Sequence, residues 1–348
     1  MRIIIATVQI PFVSGGAEAH AEGLKAALIA EGHEAAIVTV PFNPAVPERI
    51  PEQMLACRLM DLTEFHGTRV DRLIALKFPA YLIPHPHKVV WVLHQPRAAY
   101  DLWDYPFEDL SASPRGVIVR EAIRRGDQLL HEAAAVYANS KNIANRLGHF
   151  CGVPAEPLYH PPPNAESFYC ARETEDYLFF PSRLSASKRQ SLVLEALALT
   201  KEKVKVRFAG VADSAEYGKR LRALAEKLGV AARVEWMGFI TEEEKRENYA
   251  KSVAVVFPPV DEDYGYITLE AMLCSKAVVT CEDSGGPLEF VLDGRTGLVT
   301  KPTAEALAAA LDEVWRDRSL ASKYGRAGRD QYRRLGLSWS EVVKRLLS

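Results

Sequence analysis

Ten short runs of apolar, largely β-branched residues mark the chain, and their continuity constrains the fold more than any other feature. Five lie in the first half: RIIIATV (2–8), AAIVTV (35–40), RLIALKF (72–78), KVVWVLH (88–94) and AAVYANS (134–140). Five lie in the second: DYLFFPS (176–182), VKVRFAG (204–210), RVEWMGF (233–239), AVVFPP (254–259) and AVVTCE (277–282). A strand with one wet face alternates apolar and polar residues. Runs that stay apolar throughout belong to strands buried on both faces, as in parallel sheets covered by helices. Helical patterns fill the intervals. In the first of them Ala17, Ala21, Leu24 and Leu28 recur at helical spacing, and Gly32 closes the pattern where a left-handed residue is wanted.

HPPPNAESF (160–168) interrupts this alternation near the middle. Three consecutive prolines can continue neither a helix nor a central strand, so a rigid connection is expected there. At 348 residues the chain is long enough for two cores. The expected architecture is α/β: two doubly wound, Rossmann-like domains, 1–165 and 166–330, facing each other across a cleft. Residues 331–348 form a closing helix expected to return to the first domain.

The net charge of −2 argues against a general attraction to nucleic acid. Cys57, Cys151, Cys170, Cys274 and Cys281 are odd in number and contain no C-x-x-C spacing. Neither a disulfide framework nor a zinc site is therefore expected, and a reducing cytoplasm is the simple reading. The opening MRIIIATVQIPF is too short in its apolar part for a signal peptide, and no run approaches the length of a membrane span.

Doubly wound sheets bind ligands beyond the carboxyl ends of their strands, so the residues just after each run carry the most weight. G-x-G-x-x-G and G-x-x-x-x-G-K-[ST] are both missing, which argues against a nicotinamide or P-loop enzyme. SRLSASK (182–188) instead offers Arg183 and Lys188, a planar fork and a compact charge suited to a diphosphate, or else two solvated loop charges. DEDYGYITLEAM (261–272) reads three ways. Asp261 and Asp263 form a D-x-D pattern for a metal, Glu262 and Glu270 could be the acid and base of a hydrolase, or the carboxylates hold hydroxyls. Gly265 precedes a helix whose start favours anions, and Glu270 lies one turn in, either complementing the helix dipole or reaching a ligand. SGGAE (14–18) and DSGGPLEF (283–290) add glycine turns after strands. His94 either caps a strand or stands near a reacting group. The aromatics Tyr100, Trp103, Tyr105 and Phe107 form a loop core or a stacking surface. Arg120, Arg124 and Arg125 mark a solvated helix face or a contact with anionic lipid.

The stretch FPPVDEDYGYITLEAMLCSKAVVTCEDSGGPLEFVLDGRTGLV (257–299) resembles the retaining GT-B glycosyltransferases of family 4, the group 1 enzymes, whose mark is two glutamates separated by seven residues. Glu262 and Glu270 fit that spacing, SRLSASK fits the arginine–lysine element, SGGAE the amino-terminal glycine turn, and SWSEVVKRLL the closing helix. The resemblance implies a nucleotide-diphosphate sugar as donor, UDP-hexose favoured and GDP-sugar allowed, with no metal and no cofactor. Arg183 and Lys188 would hold the diphosphate, Glu270 the ribose hydroxyls and Glu262 the transferred sugar. Backbone at Gly265, Tyr266 and Ile267 would reach sugar and phosphate. Phe239 and Ile240 would line the base, and Gly210 would lie beside the nucleotide. From the first domain, Gly15 and Gly16 would meet the diphosphate and His94 the anomeric centre. The acceptor would be a saccharide or a lipid-linked sugar, reached in the cytoplasm or at the inner face of its membrane. A nucleotide-sugar epimerase, a hydrolase or a non-catalytic sugar-nucleotide-binding subunit would keep much of this pattern. The sequence departs from the family at Ser275 and Ala277, at Arg189 where glycine is usual, and in GVAD (210–213), which lacks a second glycine.

Overall fold

The computed structural model describes residues 1–12, 15–105 and 110–348; Ser14 and Phe107 of the motifs above lie outside them. The chain forms two compact units, Met1–Pro163 with Ser338–Ser348, and Asn164–Leu337.

In the first unit the strands are β1 (Arg2–Gln9), β2 (Glu34–Pro41), the small hairpin β3 (Glu64–Phe65) and β4 (Thr68–Arg69), β5 (Arg72–Lys77), β6 (Lys88–His94), β7 (Ala135–Ala138) and β8 (Glu156–Pro157). The hairpin stands alone, and the other six make one parallel sheet in the order β2-β1-β5-β6-β7-β8. Both faces of its inner strands β1, β5 and β6 are buried, whereas the edge strand β2 has no fully buried residue. Ile4, Ala6 and Val8 of β1 join one core with residues of α2 (Ile50–Arg58) and α3 (Gly116–Asp127), whereas Ile3 and Ile5 join another with α1 (Gly16–Ala30). That two-sided burial is the physical reason the runs are apolar at successive positions. A short α4 (Lys141–Arg146) is capped by the Ser140 hydroxyl, which accepts from the Ile143 N–H at 3.1 Å.

The second unit has β9 (Leu178–Pro181), β10 (Val206–Ala209), β11 (Val234–Gly238), β12 (Ala254–Val256), β13 (Ala277–Cys281) and β14 (Gly297–Thr300). They pair in parallel in the order β11-β10-β9-β12-β13-β14. Its helices are α5 (Gln190–Leu199), α6 (Ala215–Lys227), α7 (Glu242–Lys251), α8 (Tyr266–Leu273), α9 (Ala304–Arg316) and α10 (Arg318–Leu335). The direction of winding reverses between β9 and β12, which puts a ligand crevice beyond the carboxyl ends of those two strands.

Each sheet has six strands where five runs were read. The additional strands, β8 and β14, are edges: one has two residues and ends in proline, the other is half-buried, so neither carries a long apolar run. α10 runs through position 330 to Leu335, and Gly336 ends it in the left-handed region. The chain therefore changes unit at Ser338, and α11 (Trp339–Leu347) lies in the first unit. Gly23 of α1 makes room for it, since a Cβ there would stand 2.7 Å from the Trp339 ring. The Arg72 guanidinium and the Tyr137 hydroxyl donate to the carbonyls of Leu346 and Arg345 at 2.7 and 2.9 Å.

Of the three arginines on α3, Arg124 and Arg125 are exposed, Arg124 with its guanidinium 5.8 Å from the Tyr100 ring centre. Arg120 instead stacks on Trp103 at 4.4 Å and donates to the Ala99 carbonyl. Among the described residues, no helix is long and apolar enough to cross a membrane. All five cysteines are free thiols.

Asp127, at the end of α3, is wholly buried and accepts from the hydroxyls of Tyr81 (2.5 Å) and Tyr100 (2.7 Å). Tyr100 thus belongs to the core of this unit. Burial lifts the Asp127 carboxyl to about 6, against the lowering effect of its two phenol donors. A folded-state value above the unfolded one means that this group favours folding most below about pH 4 and that the benefit is lost as pH rises through 6. Asp127→Asn removes the titration. The gap in unfolding free energy between variant and wild type should shift by about 2 kcal/mol between pH 4 and 7, wild type faring relatively better at pH 4. Urea unfolding followed through buried Trp91 measures it; a gap independent of pH would contradict this account.

Candidate functional site

At the carboxyl edge of the second sheet the loops remain hydrogen-bonded in the order of the strands they leave. Leu184 N–H donates to the Val211 carbonyl at 2.9 Å and Asp213 N–H to Leu184 at 3.0 Å. Val260 N–H donates to Ser187 at 2.7 Å. Asp261 and Glu262 donate to the carbonyls of Asp283 and Ser284 at 2.8 and 2.9 Å, and Gly286 returns a bond to Glu262 at 2.7 Å. Four segments, 211–213, 184–187, 260–262 and 283–286, therefore continue the sheet as a ladder. Buried Gln190 pins the second of them, donating to the Arg183 carbonyl at 2.8 Å and accepting from Ser185 N–H at 3.3 Å.

Two glycines are required by this closeness. At Gly286 a Cβ would lie 2.8 Å from the Tyr264 carbonyl oxygen and 2.9 Å from that of Asp263. At Gly210, φ is +146° and a Cβ would lie 2.2 Å from the Ser182 oxygen. Gly210 is thus explained by the approach of backbone from the neighbouring loop.

The ladder brings Lys188 and Glu262 into direct contact as an ion pair, both largely shielded, with the lysine ammonium 5.7 Å from the Phe257 ring centre. Gly265 follows with φ +78° and caps the start of α8, so Tyr266 and Ile267 form its first turn. Helix starts present backbone N–H groups and a positive partial charge. Glu270 is buried one turn in; its two oxygens accept from Lys245 Nζ at 3.1 Å and from the Tyr249 hydroxyl at 2.7 Å. Burial alone would pull the Lys245 ammonium down, but the carboxylates of Glu270 and Glu242 hold it above its ordinary range. Burial and the same Glu270 raise the Tyr249 phenol well above its own. The carboxylate is held by donors on α7 that sequence reading did not single out, although Lys245 and Tyr249 share a face at i, i+4 spacing.

Arg183 lies at the open side, 67% exposed, with its guanidinium 2.7 Å from Asp213. Phe239, just past β11, is 81% exposed, and Ile240 beside it is half-buried. Arg189, where the sequence departs from the usual glycine, makes a two-pronged bond to Asp283 at 2.8 and 2.6 Å. His94, Gly15 and Gly16 belong to the first unit. His94 ends β6 exposed, Gly15 caps α1 with its N–H donating to Glu18 at 2.8 Å, and Gly16 begins that helix.

Residues 166–331 match the family described as glycosyl transferases group 1. Residues 166–331 are thus a group 1 glycosyl transferase domain. Among curated relatives, an alpha-1,3/1,6-mannosyltransferase of Dictyostelium discoideum is 30% identical over 122 residues, 35% of this chain and 29% of that protein. A GDP-mannose-dependent alpha-(1-6)-phosphatidylinositol monomannoside mannosyltransferase of Mycolicibacterium smegmatis is 28% identical over 254 residues, 65% of each chain. The alignments thus span less than two thirds of these relatives. A sucrose-phosphate synthase from Thermosynechococcus elongatus superposes with a TM-score of 0.79 at 19% identity, over 99% of this chain and 97% of that one. HepE of Anabaena, solved with UDP-glucose, gives 0.73 at 16% identity, over 99% and 98%. The whole chain accordingly has the GT-B fold of two Rossmann-like units.

Because Gly286 is what allows segments 260–265 and 283–286 to touch, Gly286→Ala should lower stability by about 1–3 kcal/mol, as overpacking does. Differential scanning calorimetry of the variant checks this, and an unchanged midpoint for the second unit would count against the close approach.

Proposed function

We propose that this protein, with its group 1 transferase domain, is a glycosyltransferase that moves a hexose from a nucleotide-diphosphate sugar to a saccharide or lipid-linked acceptor with retention of anomeric configuration. It would act in the cytoplasm, at the inner face of the membrane where the acceptor is lipid-linked. UDP-hexose is the favoured donor, and GDP-mannose the alternative suggested by the mannosyltransferase relatives. The observation that carries the reading is the convergence of Lys188, Glu262 and the α8 start at the point where the winding reverses. A cation and a helix start suit a diphosphate, and the adjoining carboxylate suits sugar hydroxyls.

Each residue then has a part. Lys188 and Arg183 neutralise the leaving diphosphate, with backbone at Gly265, Tyr266 and Ile267 reaching phosphate and sugar. Glu262 exchanges its bond to Lys188 for sugar hydroxyls as the donor arrives. Glu270, oriented by Lys245 and Tyr249, accepts from the ribose hydroxyls. Exposed Phe239 offers a face for the base and Ile240 an edge. For Gly15, Gly16 and His94 the family resemblance suggests roles toward the diphosphate and the anomeric centre. As the glycosidic bond breaks, charge grows on the diphosphate and on an oxocarbenium-like sugar. The departing phosphate oxygen takes the acceptor's proton on the same face, and stabilising that charge is the main catalytic contribution. No divalent metal is required in this scheme.

Incubation with labelled UDP- and GDP-sugars, with and without candidate acceptors, tests the activity; release of free sugar regardless of acceptor would mark a hydrolase instead. In the active pairing, Lys188→Ala should lower kcat by a factor on the order of 10² to 10³, the loss of one strong electrostatic stabiliser. Glu270→Gln should chiefly raise the donor KM, since its contact exists before and during reaction. Glu262→Gln should slow transfer without weakening UDP or GDP binding. Loss of nucleotide binding in Glu262→Gln beside an unaffected Lys188→Ala would reverse these roles. Turnover should also survive EDTA; abolition by the chelator and rescue by Mn²⁺ would instead assign Asp261 and Asp263 to a metal.

A further inference from the structure

Arg189 stands where the resembling family has glycine, and its backbone keeps the glycine-like geometry, φ +58° and ψ +40°. A side chain in the left-handed region is strained, so something must hold an arginine there. Its guanidinium makes parallel bonds to both Asp283 oxygens, at 2.8 and 2.6 Å, with the arginine side chain 19% exposed. The two residues sit at informative places. Arg189 directly follows Lys188, and Asp283 begins the segment whose carbonyls at 283 and 284 receive the N–H groups of Asp261 and Glu262. Backbone bonds join 184–187 to 260–262 and 260–262 to 283–286, but the segments on either side of the middle one share no backbone bond among those described. The Arg189–Asp283 fork joins them directly.

We propose that Arg189 is a positioning residue, whose fork to Asp283 sets the separation of Lys188 from the 283–286 segment that holds Glu262, and so the shape of the diphosphate seat. The inference rests on the donor-site reading above and adds a residue to it. Arg189 need not touch the ligand; it acts through Asp283. Planar two-point geometry is the reason for arginine, because lysine offers only one ammonium and cannot fix the carboxylate's orientation.

The separating variants are Arg189→Gly, which relieves the left-handed backbone while deleting the fork, Arg189→Lys, and the exchange Arg189→Asp with Asp283→Arg. Aspartate tolerates the left-handed region better than most side chains, so the exchange can rebuild the pair. With the full chain, calorimetry of UDP, GDP and inorganic pyrophosphate is run beside thermal unfolding. Wild-type binding of at least one nucleotide comes first; its absence would sink the donor-site reading and with it this inference. Given binding, Arg189→Gly should keep its unfolding midpoint within about 3 °C of wild type, weaken nucleotide and pyrophosphate binding by roughly tenfold, and raise donor KM more than it lowers kcat. Arg189→Lys should fall between, and the exchanged pair should recover most of the loss. Unchanged affinity in Arg189→Gly, or a loss matched by a collapsed midpoint in every variant, would overturn the positioning role.

Discussion

The candidate site depends on one constraint: backbone pairing in the second sheet does not stop where the strands stop. Parallel strands align their loops side by side, and here the N–H groups of 184, 260, 261 and 262 find carbonyls on the adjacent loop. Buried backbone groups must be paired somewhere, and here the loops supply that pairing for one another. The consequence is chemical. A ladder of this kind leaves little freedom in where Lys188 and Glu262 meet, and it demands Gly210 and Gly286, where any side chain would collide with a neighbouring carbonyl.

Within that frame the acidic stretch from 261 to 270 divides into separate tasks. Asp261 bends the chain with a left-handed backbone and uses its N–H on Asp283. Glu262 faces Lys188. Glu270, eight residues later and buried, is held by an ammonium and a phenol from α7. A buried carboxylate without donors would be costly, so the α7 pair is what allows Glu270 to remain in place with a fixed orientation. Similar logic applies to Asp127 in the first unit, where two phenols do the work and no cation is bonded to it among the described residues; burial lifts its carboxyl to about 6 despite those two donors.

The first unit uses the same two-sided sheet for a different end. Its helix α1 follows the glycine turn, and α11 comes back after more than three hundred residues to cover the face that α1 leaves open. A tryptophan lying over Gly23 and two backbone carbonyls taken by Arg72 and Tyr137 fix that return. The closing helix is therefore part of this unit's core in the same sense as the strands beneath it.

Local pattern alone determined a good deal. Unbroken apolar runs required parallel sheets covered on both sides, PPP required a division near the middle, and the E-x7-E spacing with SRLSASK pointed to the edge where the side chains converge. These are properties of a few consecutive residues, and short-range sterics and burial govern them. What only the tertiary structure decided are the partnerships. Lys188 with Glu262, Glu270 with Lys245 and Tyr249, and Arg189 with Asp283 join residues from 21 to 94 positions apart. The edge strands β8 and β14 likewise form because a neighbour supplies hydrogen bonds, without an apolar run of their own. Such contacts depend on strand order and loop registry, which no local pattern encodes. The sequence thus named most of the charged groups at the edge, and the winding of the sheet chose what each of them holds.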